Sequence, residues 1–580
     1  MAAGRRQSRQ RTGEAGGSYR NKANNRGRRS DMATANATRR GPEASDYDYV
    51  IVGAGTAGCV LAARLSERDG ARVLLLEAGG PSTLDLLTVP QAWPALMGTE
   101  VDWCYATVPQ TGTAHRDHVM PAGKVLGGSS AINAMAHIRG HRANFDRWAR
   151  EGATGWEYDS VLPYFKRSEH AEGRDPAYRG VGGPLRVTPA RNRHPLSQAL
   201  FDAALEVGIP ATEDSNGKQP EGVCWHELNI VDGVRQSAAA AYLEPIRRRP
   251  GLTIETGALA LRVLLDGDRC VGVEYAVDGR TRRVRATEEV VLSAGAVGSP
   301  KLLMLSGLGP ERHLRELGIG VVEDLPGVGA NLHDHPFAGI TYEARRPVEP
   351  GANQHGEVSA LQRTGPDVDE PDLQFVFIDV PFHPPSLEGP ANGYTIGFAV
   401  MTPVSRGTVR LAGPDPTQAP RIDPNYLAEQ EDVRRMLIGF QRTREIGAAS
   451  ALAEWRARQV LPGHEVVDGA AARDYVARCT GTYFHLVGTC AIGQVVDPQL
   501  RVRGIGGLRV ADASVMPSIV SANTNATTVM IGERAAALIA DGAQMNCEIP
   551  AARRRNPQGP ARKFSASAHR REATHGRPPS

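Results

Sequence analysis

Aromatic residues are scarce in this chain, at 5% of its 580 positions, and cysteine is scarcer, with seven in all. A small disulfide-stapled scaffold needs dense cysteine, so that class is excluded. Cys59, Cys104, Cys224, Cys270, Cys479, Cys490 and Cys547 contain no Cys-x-x-Cys spacing and follow no secretory signal, which points to a reducing, cytoplasmic setting. Long hydrophobic runs are missing too. No stretch approaches the roughly 20 apolar residues of a bilayer-crossing helix, so a transmembrane segment is not expected.

A large net charge is also absent, the formal sum being +3. That sum hides an asymmetry: residues 1–45 and 548–580 hold seventeen Arg and two Lys against five acids, or +14, leaving −11 for the 502 residues between them. An acidic body argues against nucleic acid as its partner. The two ends are rich in Arg, Gly, Ser, Asn and Pro and poor in aliphatics, and are expected to be disordered. Arg5-Arg6 has no apolar stretch after it and so is no twin-arginine export signal. The ends read as solvated tails, with attachment to nucleic acid or anionic membrane as the alternative and Met32 as a candidate start. With 41% hydrophobic and 23% charged residues, the remainder has ordinary globular composition and room for two or three domains.

Glycine is what the chain has in quantity, and its most informative cluster lies near the front. Residues 49–52 form a β-branched run, followed by Gly53-x-Gly55-x-x-Gly58 and then by apolar residues at helical spacing, Val60, Leu61 and Leu65. A second apolar run, 73–76, ends at Glu77. This is a strand, tight turn, helix and strand. Gly53 permits the turn, Gly55 with Thr56 and Ala57 lets backbone approach a pyrophosphate, and Gly58 lets helix and strand pack closely. The helix N-terminus offers free N–H groups to the anion. Glu77, 24 residues after Gly53, can accept from ribose hydroxyls, which favours FAD or NAD over NADP.

Residues 121–140, PAGKVLGGSSAINAMAHIRG, resemble the first signature of the glucose-methanol-choline (GMC) family of flavin-dependent alcohol oxidoreductases, and residues 295–309, GAVGSPKLLMLSGLG, resemble its second. The stretches LPGVGANLHDHP (325–336), YFHLVGTCAIG (483–493) and LRVADASVMPSIVSANTNATTVMIGERAA (from 508) are similar to later family segments, so the resemblance runs over about 46–543 and is nearest to a choline-dehydrogenase-like branch. It implies FAD, with Val125, Gly128, Ser129 and the run Asn133, Ala134, Met135, Ala136 along the flavin. Some members attach FAD through a histidine in this segment; Ile132 stands there in this chain, so non-covalent FAD is expected. Val263 would meet the adenine through its backbone, and Asp512 with Ala513 would lie near the ribityl-diphosphate portion.

Oxidation of an alcohol needs a base beside the hydride acceptor, and histidine has the right reference pKa, about 6.5. His485 occupies the family's catalytic position, and Asn523, ten residues before Glu533, occupies the second active-site position. An amide cannot be the base but can orient the substrate oxygen. Asn525 is expected at the flavin pyrimidine edge, with a helix over 527–540 pointing its N-terminus at the ring. His137 and His141, four apart, are metal-like only in spacing, and no metal is expected. His333-Asp334-His335 reads as local structure beside the flavin domain, Cys59 as a core residue, and Ser299-Pro300 as a helix start.

The expected fold class is α/β plus α+β: a discontinuous Rossmann-type FAD-binding domain (46–144, 251–335 and 480–543), a mixed segment (145–250), and a substrate domain on an antiparallel sheet (336–479). Strands are expected at 260–263, 288–293, 372–380, 394–400 and 508–510, with Phe375, Phe377 and Phe382 as possible pocket residues. The expected activity is that of an FAD-dependent alcohol dehydrogenase or oxidase, its acceptor oxygen or a quinone or carrier. Two alternatives stay open: an FAD-containing hydroxynitrile lyase of the same fold, and a non-catalytic flavin-binding protein. The alcohol and the oligomeric state are not readable.

Overall fold

The computed structural model describes residues 46–547; the basic ends, and the expectations of disorder and of a Met32 start, lie outside the described residues. The front strand, Asp46–Val52, ends in four consecutive buried residues because it runs through the middle of a sheet covered on both faces. It pairs in parallel with Val73–Leu76, which pairs in turn with Leu252–Glu255. On its other side lies Arg280–Leu292, a strand of 13 residues that serves two ladders. Its first half closes an antiparallel meander with Arg269–Val277 and Leu259–Asp266, and its second half continues the parallel sheet to Leu508–Val510.

Helix Thr56–Leu65 follows the glycine turn, and the closing helix Asn525–Cys547 packs across it. The approach is close: a Cβ on Gly532 would come within 2.9 Å of Val60 Cβ. Buried Glu533 joins the pair, accepting from Arg64 and from the Tyr242 hydroxyl.

The second sheet is antiparallel throughout. Its order is Arg456–Leu461, Pro336–Ala344, Gly393–Val400, Leu373–Ile378, Val358–Gln362, Gly222–Trp225, with Gly481–Thr482 added beside Pro336 and Phe337. Phe375, Phe377 and Phe398 fill the core between this sheet and helix Gln430–Ala448. The expected combination, a Rossmann-type α/β layer with a sheet-rich α+β layer, is therefore the fold observed.

Two local expectations change. The helix expected to start at Ser299-Pro300 begins at Gly295 and runs to Leu305, with Pro300 inside it. Proline cannot donate to the carbonyl four residues back, and here Thr489 Oγ1 donates to that carbonyl, Ala296 O, at 2.7 Å. The closing helix starts at Asn525, two residues before the expected 527.

Candidate active site

One continuous cavity passes from the glycine turn to His485 and Asn523. At the first end Gly53 has φ +97°, and a Cβ on Gly58 would lie 1.9 Å from Gly53 O, so only glycine lets the turn fold back on its helix. The second glycine-rich loop presses on the first: a Cβ on Gly128 would meet Gly55 Cα at 2.7 Å. Helix Thr56–Leu65 has no side-chain cap, and neither it nor the closing helix has an acid in its first turn. Thr56 Oγ1 donates to Asn525 Oδ1 at 2.9 Å, so the two N-termini converge on the cavity with unneutralised N–H groups. That is the donor set of an anion site. Glu77 accepts from Ala54 N and Gly79 N, each at 2.8 Å, and burial pushes its carboxyl up to about 7. Glycine cradle, paired helix N-termini and acid at the second strand's end fit a dinucleotide cofactor.

At the other end, two segments 150 residues apart zip together. His333 exchanges backbone hydrogen bonds with Val487, and Tyr483 N donates to His335 O. Asp334, fully enclosed, accepts from the backbone N–H groups of His335 and His485 and from the hydroxyls of Thr482 and Tyr426. These bonds fix where the His485 ring begins.

The ring's protons follow from its partners. His335 Nε2 faces two carbonyl oxygens, those of Met401 and Val520, each 3.1 Å away, so it carries a hydrogen. Burial holds the His335 imidazolium down to about 3, so the ring is neutral and its Nδ1 is a lone pair. His485 Nδ1 lies 2.9 Å from that lone pair and must donate to it. His485 Nε2 is consequently unprotonated. Burial, with His335 alongside, holds the His485 imidazolium well below its usual range. Asn523 Nδ2 stands 3.3 Å from His485 Nε2, and Gln374 Nε2 stands 3.4 Å from Asn523 Oδ1, which fixes the amide orientation. Around this pair the cavity is aromatic: Trp93 lies 6.1 Å from Phe382 and 6.4 Å from Phe484 between ring centroids, and Phe337 stacks on Tyr483 at 5.1 Å.

Family models described as GMC oxidoreductase match residues 47–337 and 403–532. The chain belongs to the GMC oxidoreductase family. Over 542 residues it is 41% identical to the mitochondrial choline dehydrogenase of Homo sapiens, covering 86% of this chain and 91% of that one. It is 39% identical over 524 residues to the oxygen-dependent choline dehydrogenase of Rhizobium etli, covering 84% and 94%. Among solved structures it resembles pyridoxine 4-oxidase from Mesorbium loti, with TM-score 0.82, 38% identity, and 85% and 98% of the two chains covered. Formate oxidase from Aspergillus oryzae gives TM-score 0.80 at 26% identity over 87% and 100%.

Within this GMC fold, the cavity brings together Gly53, Gly55, Thr56, Ala57, Glu77, Gly128, Ser129, Asn133, Ala134, Met135, Ala136, His485, Asp512, Ala513, Asn523 and Asn525. Three expected contacts do not line it. Gly58 faces the backbone of Gly53 in the turn, and Val125 packs with Leu87, Leu96 and Val101. Val263 lies mid-strand with its N–H donated to Ser306 Oγ at 2.9 Å; Ala258, Leu259 and Ala260 line the cavity instead. The Asp512 carboxylate is occupied by Gly295 N, Ser299 Oγ, Ser514 N and Ser514 Oγ, so it ties elements together. Of the three phenylalanines, only Phe382 lines the cavity. His141 caps a helix while His137 precedes it beside Glu169, so they share no helix face. Cys59 is fully buried, as a core residue is.

Sequence reasoning missed His335. The His-Asp-His triplet was visible, but nothing local says that one ring meets a histidine 150 residues downstream.

Proposed function

We propose that His485 Nε2 is the base that takes the hydroxyl proton of an alcohol and that Asn523 holds the alcohol oxygen. The protein is a GMC-family FAD-dependent oxidoreductase acting on a CH–OH group. When bound, FAD supplies the hydride acceptor. The supporting observation is the tautomer: His335 holds the Nδ1 proton of His485, leaving Nε2 unprotonated as an acceptor that faces the cavity and the Asn523 amide, whose place on it an alcohol hydroxyl would take. Asn523 Nδ2 can donate to the substrate oxygen, which stabilises negative charge as the proton leaves. His485 is itself buried, and the lower dielectric there strengthens each of these contacts.

The residues that would hold FAD are the glycine turn with Thr56 and Ala57 at the diphosphate, Glu77 at the adenosine ribose, and the Asn133 to Ala136 wall along the ring. Ile132 lines this wall where a histidine would be needed for covalent attachment, which supports non-covalent FAD. The first sheet and its three sequence segments form the cofactor domain in this reading, and the antiparallel sheet the substrate domain.

For the substrate, Trp93, Phe337, Phe382 and Phe484 support an alcohol with an apolar, aromatic or quaternary-ammonium body. The only acids lining the cavity among the described residues are Glu77 and Asp512, both at the cofactor wall. The acceptor is oxygen or a quinone or carrier. The six cysteines whose side chains are described are all unpaired, which supports a cytoplasmic setting; among the described residues no helix is long and apolar enough to cross a membrane.

The test is the visible spectrum of the FAD-loaded protein under anaerobic conditions, before and after choline, aryl alcohols, primary alcohols and polyols. Bleaching by one of them is expected, and readmitted air distinguishes oxidase from dehydrogenase. Cyanohydrin cleavage without bleaching would favour the lyase and sink the reading.

A further inference from the structure

Arg235 is the buried cation that the reaction scheme leaves unused. It is 5% exposed, and among the described residues no carboxylate pairs with it. Its Nε donates to Leu87 O at 3.0 Å; its Nη1 donates to Asn133 O and, at 3.1 Å, to Asn133 Oδ1; its Nη2 is buried without a partner. The other deeply buried arginines behave differently. Arg179 and Arg139 both lie against Glu169, and Arg179 also meets Glu227 and Asp214. A guanidinium held in a dry interior without a counter-charge is costly unless a negative charge arrives from elsewhere.

The place of Arg235 indicates where that charge forms. Asn133 Oδ1 is occupied by Arg235 Nη1 and by Met135 N at 3.0 Å, so the amide NH2 is left for the cavity that Asn133 lines with Ala134, Met135 and Ala136. Arg235 therefore stands directly behind the wall assigned to the flavin, in a region where a charge acts over several ångströms with little screening. Guanidinium keeps its proton even here, though burial draws its pKa down to about 9.

We propose that Arg235 is the fixed counter-charge for the negative charge that two-electron reduction places on the isoalloxazine, acting through the wall at Asn133 as a positioning residue. The inference rests on the placement of FAD given above. It makes Arg235 a determinant of how readily the cofactor accepts a hydride, whichever alcohol supplies it.

The experiment uses the full chain reconstituted with FAD, with R235M removing the charge and R235K keeping it. Sulfite adds to the flavin ring as a nucleophile and puts negative charge on it, so its affinity reads the local potential without any substrate. R235M is expected to bind sulfite at least tenfold more weakly than the wild type, and R235K within threefold of it. A tenfold loss of preference for the two-electron-reduced form corresponds to a midpoint potential lower by about 30 mV, measured by dye equilibration. If both variants lose thermal stability together but keep wild-type sulfite affinity and potential, Arg235 only ties the Leu87 and Asn133 loops and the proposal is overturned. Should R235M fail to hold FAD, the wild type decides: its reduced flavin must stay anionic at pH values where free reduced flavin is protonated, and protonation in step with free flavin overturns the proposal. None of these readouts needs an alcohol, so a protein that no alcohol bleaches refutes the reaction and leaves the Arg235 result standing.

Discussion

His335 and His485 face each other Nδ1 to Nδ1 at 2.9 Å, and the two carbonyls behind His335 Nε2 decide which of the pair donates. Removing the acceptor frees His485 to place its proton on Nε2, where it cannot act as a base. His335→Leu should slow anaerobic reduction of the cofactor by roughly 10²- to 10⁴-fold, the span of general-base contributions, with FAD content unchanged. His335→Gln can present an amide oxygen to His485 Nδ1 and should recover part of the loss. Wild-type reduction rates in His335→Leu would remove the relay from the mechanism.

His485→Ala should leave yellow, FAD-loaded protein whose alcohol-dependent reduction falls by a similar roughly 10²- to 10⁴-fold. Asn523→Ala should raise KM and lower the rate of the chemical step together, by about 10- to 100-fold in the ratio. An effect of Asn523→Ala on melting temperature alone would defeat its assignment.

The acid limb of the rate profile carries a second test. Burial and His335 hold the His485 imidazolium well below the ordinary 6.5. The base form therefore persists as pH falls through 6.5, and the cofactor-reduction rate should begin to drop only at lower pH. Stopped-flow reduction between pH 4.5 and 8 checks this; a midpoint at or above 6.5 contradicts it.

Glu77 gives a cofactor-binding prediction with a sign. Its carboxyl is pushed up to about 7, and ribose hydroxyls would donate to the ionised form. FAD affinity should thus rise with pH through about 7, and Glu77→Gln should weaken binding by about 1.5–3 kcal/mol, tenfold or more, and flatten that dependence. Titration of apoprotein with FAD by fluorescence quenching at several pH values measures both.

Gly58→Ala tests the turn. The added methyl would stand 1.9 Å from Gly53 O, a backbone atom that cannot swing aside. We expect a loss of about 1–3 kcal/mol in thermal or urea unfolding together with poorer FAD retention. A variant with wild-type stability and cofactor content would show that the turn has slack.

The parts legible in the sequence are those whose physics is local. The span from Asp46 to Glu77 reads directly because each glycine answers a clash within its own turn and each strand is a buried apolar run. His485 and Asn523 were reached through motif resemblance, and their shared cavity agrees with that placement. What stayed hidden is contact across sequence distance: His335 to His485, Gln374 to Asn523, and Arg235 to Asn133 each join side chains whose identity does not announce a partner. Val263 shows the same limit of local reading, since a strand residue's backbone direction depends on register, and here its N–H turns to Ser306.

The two halves of the reaction belong to different sheets. The ring proposed to receive the proton is set by strand pairing at the edge of the antiparallel sheet, where Gly481–Thr482 lies along Pro336 and Phe337, whereas the turn proposed to cradle the cofactor belongs to the parallel one. A side-chain change between the sheets would move donor carbon and hydride acceptor apart without disturbing either ladder. Distance-dependent hydride kinetics, read as a temperature-sensitive isotope effect, would then change in a protein whose melting point and colour stay normal.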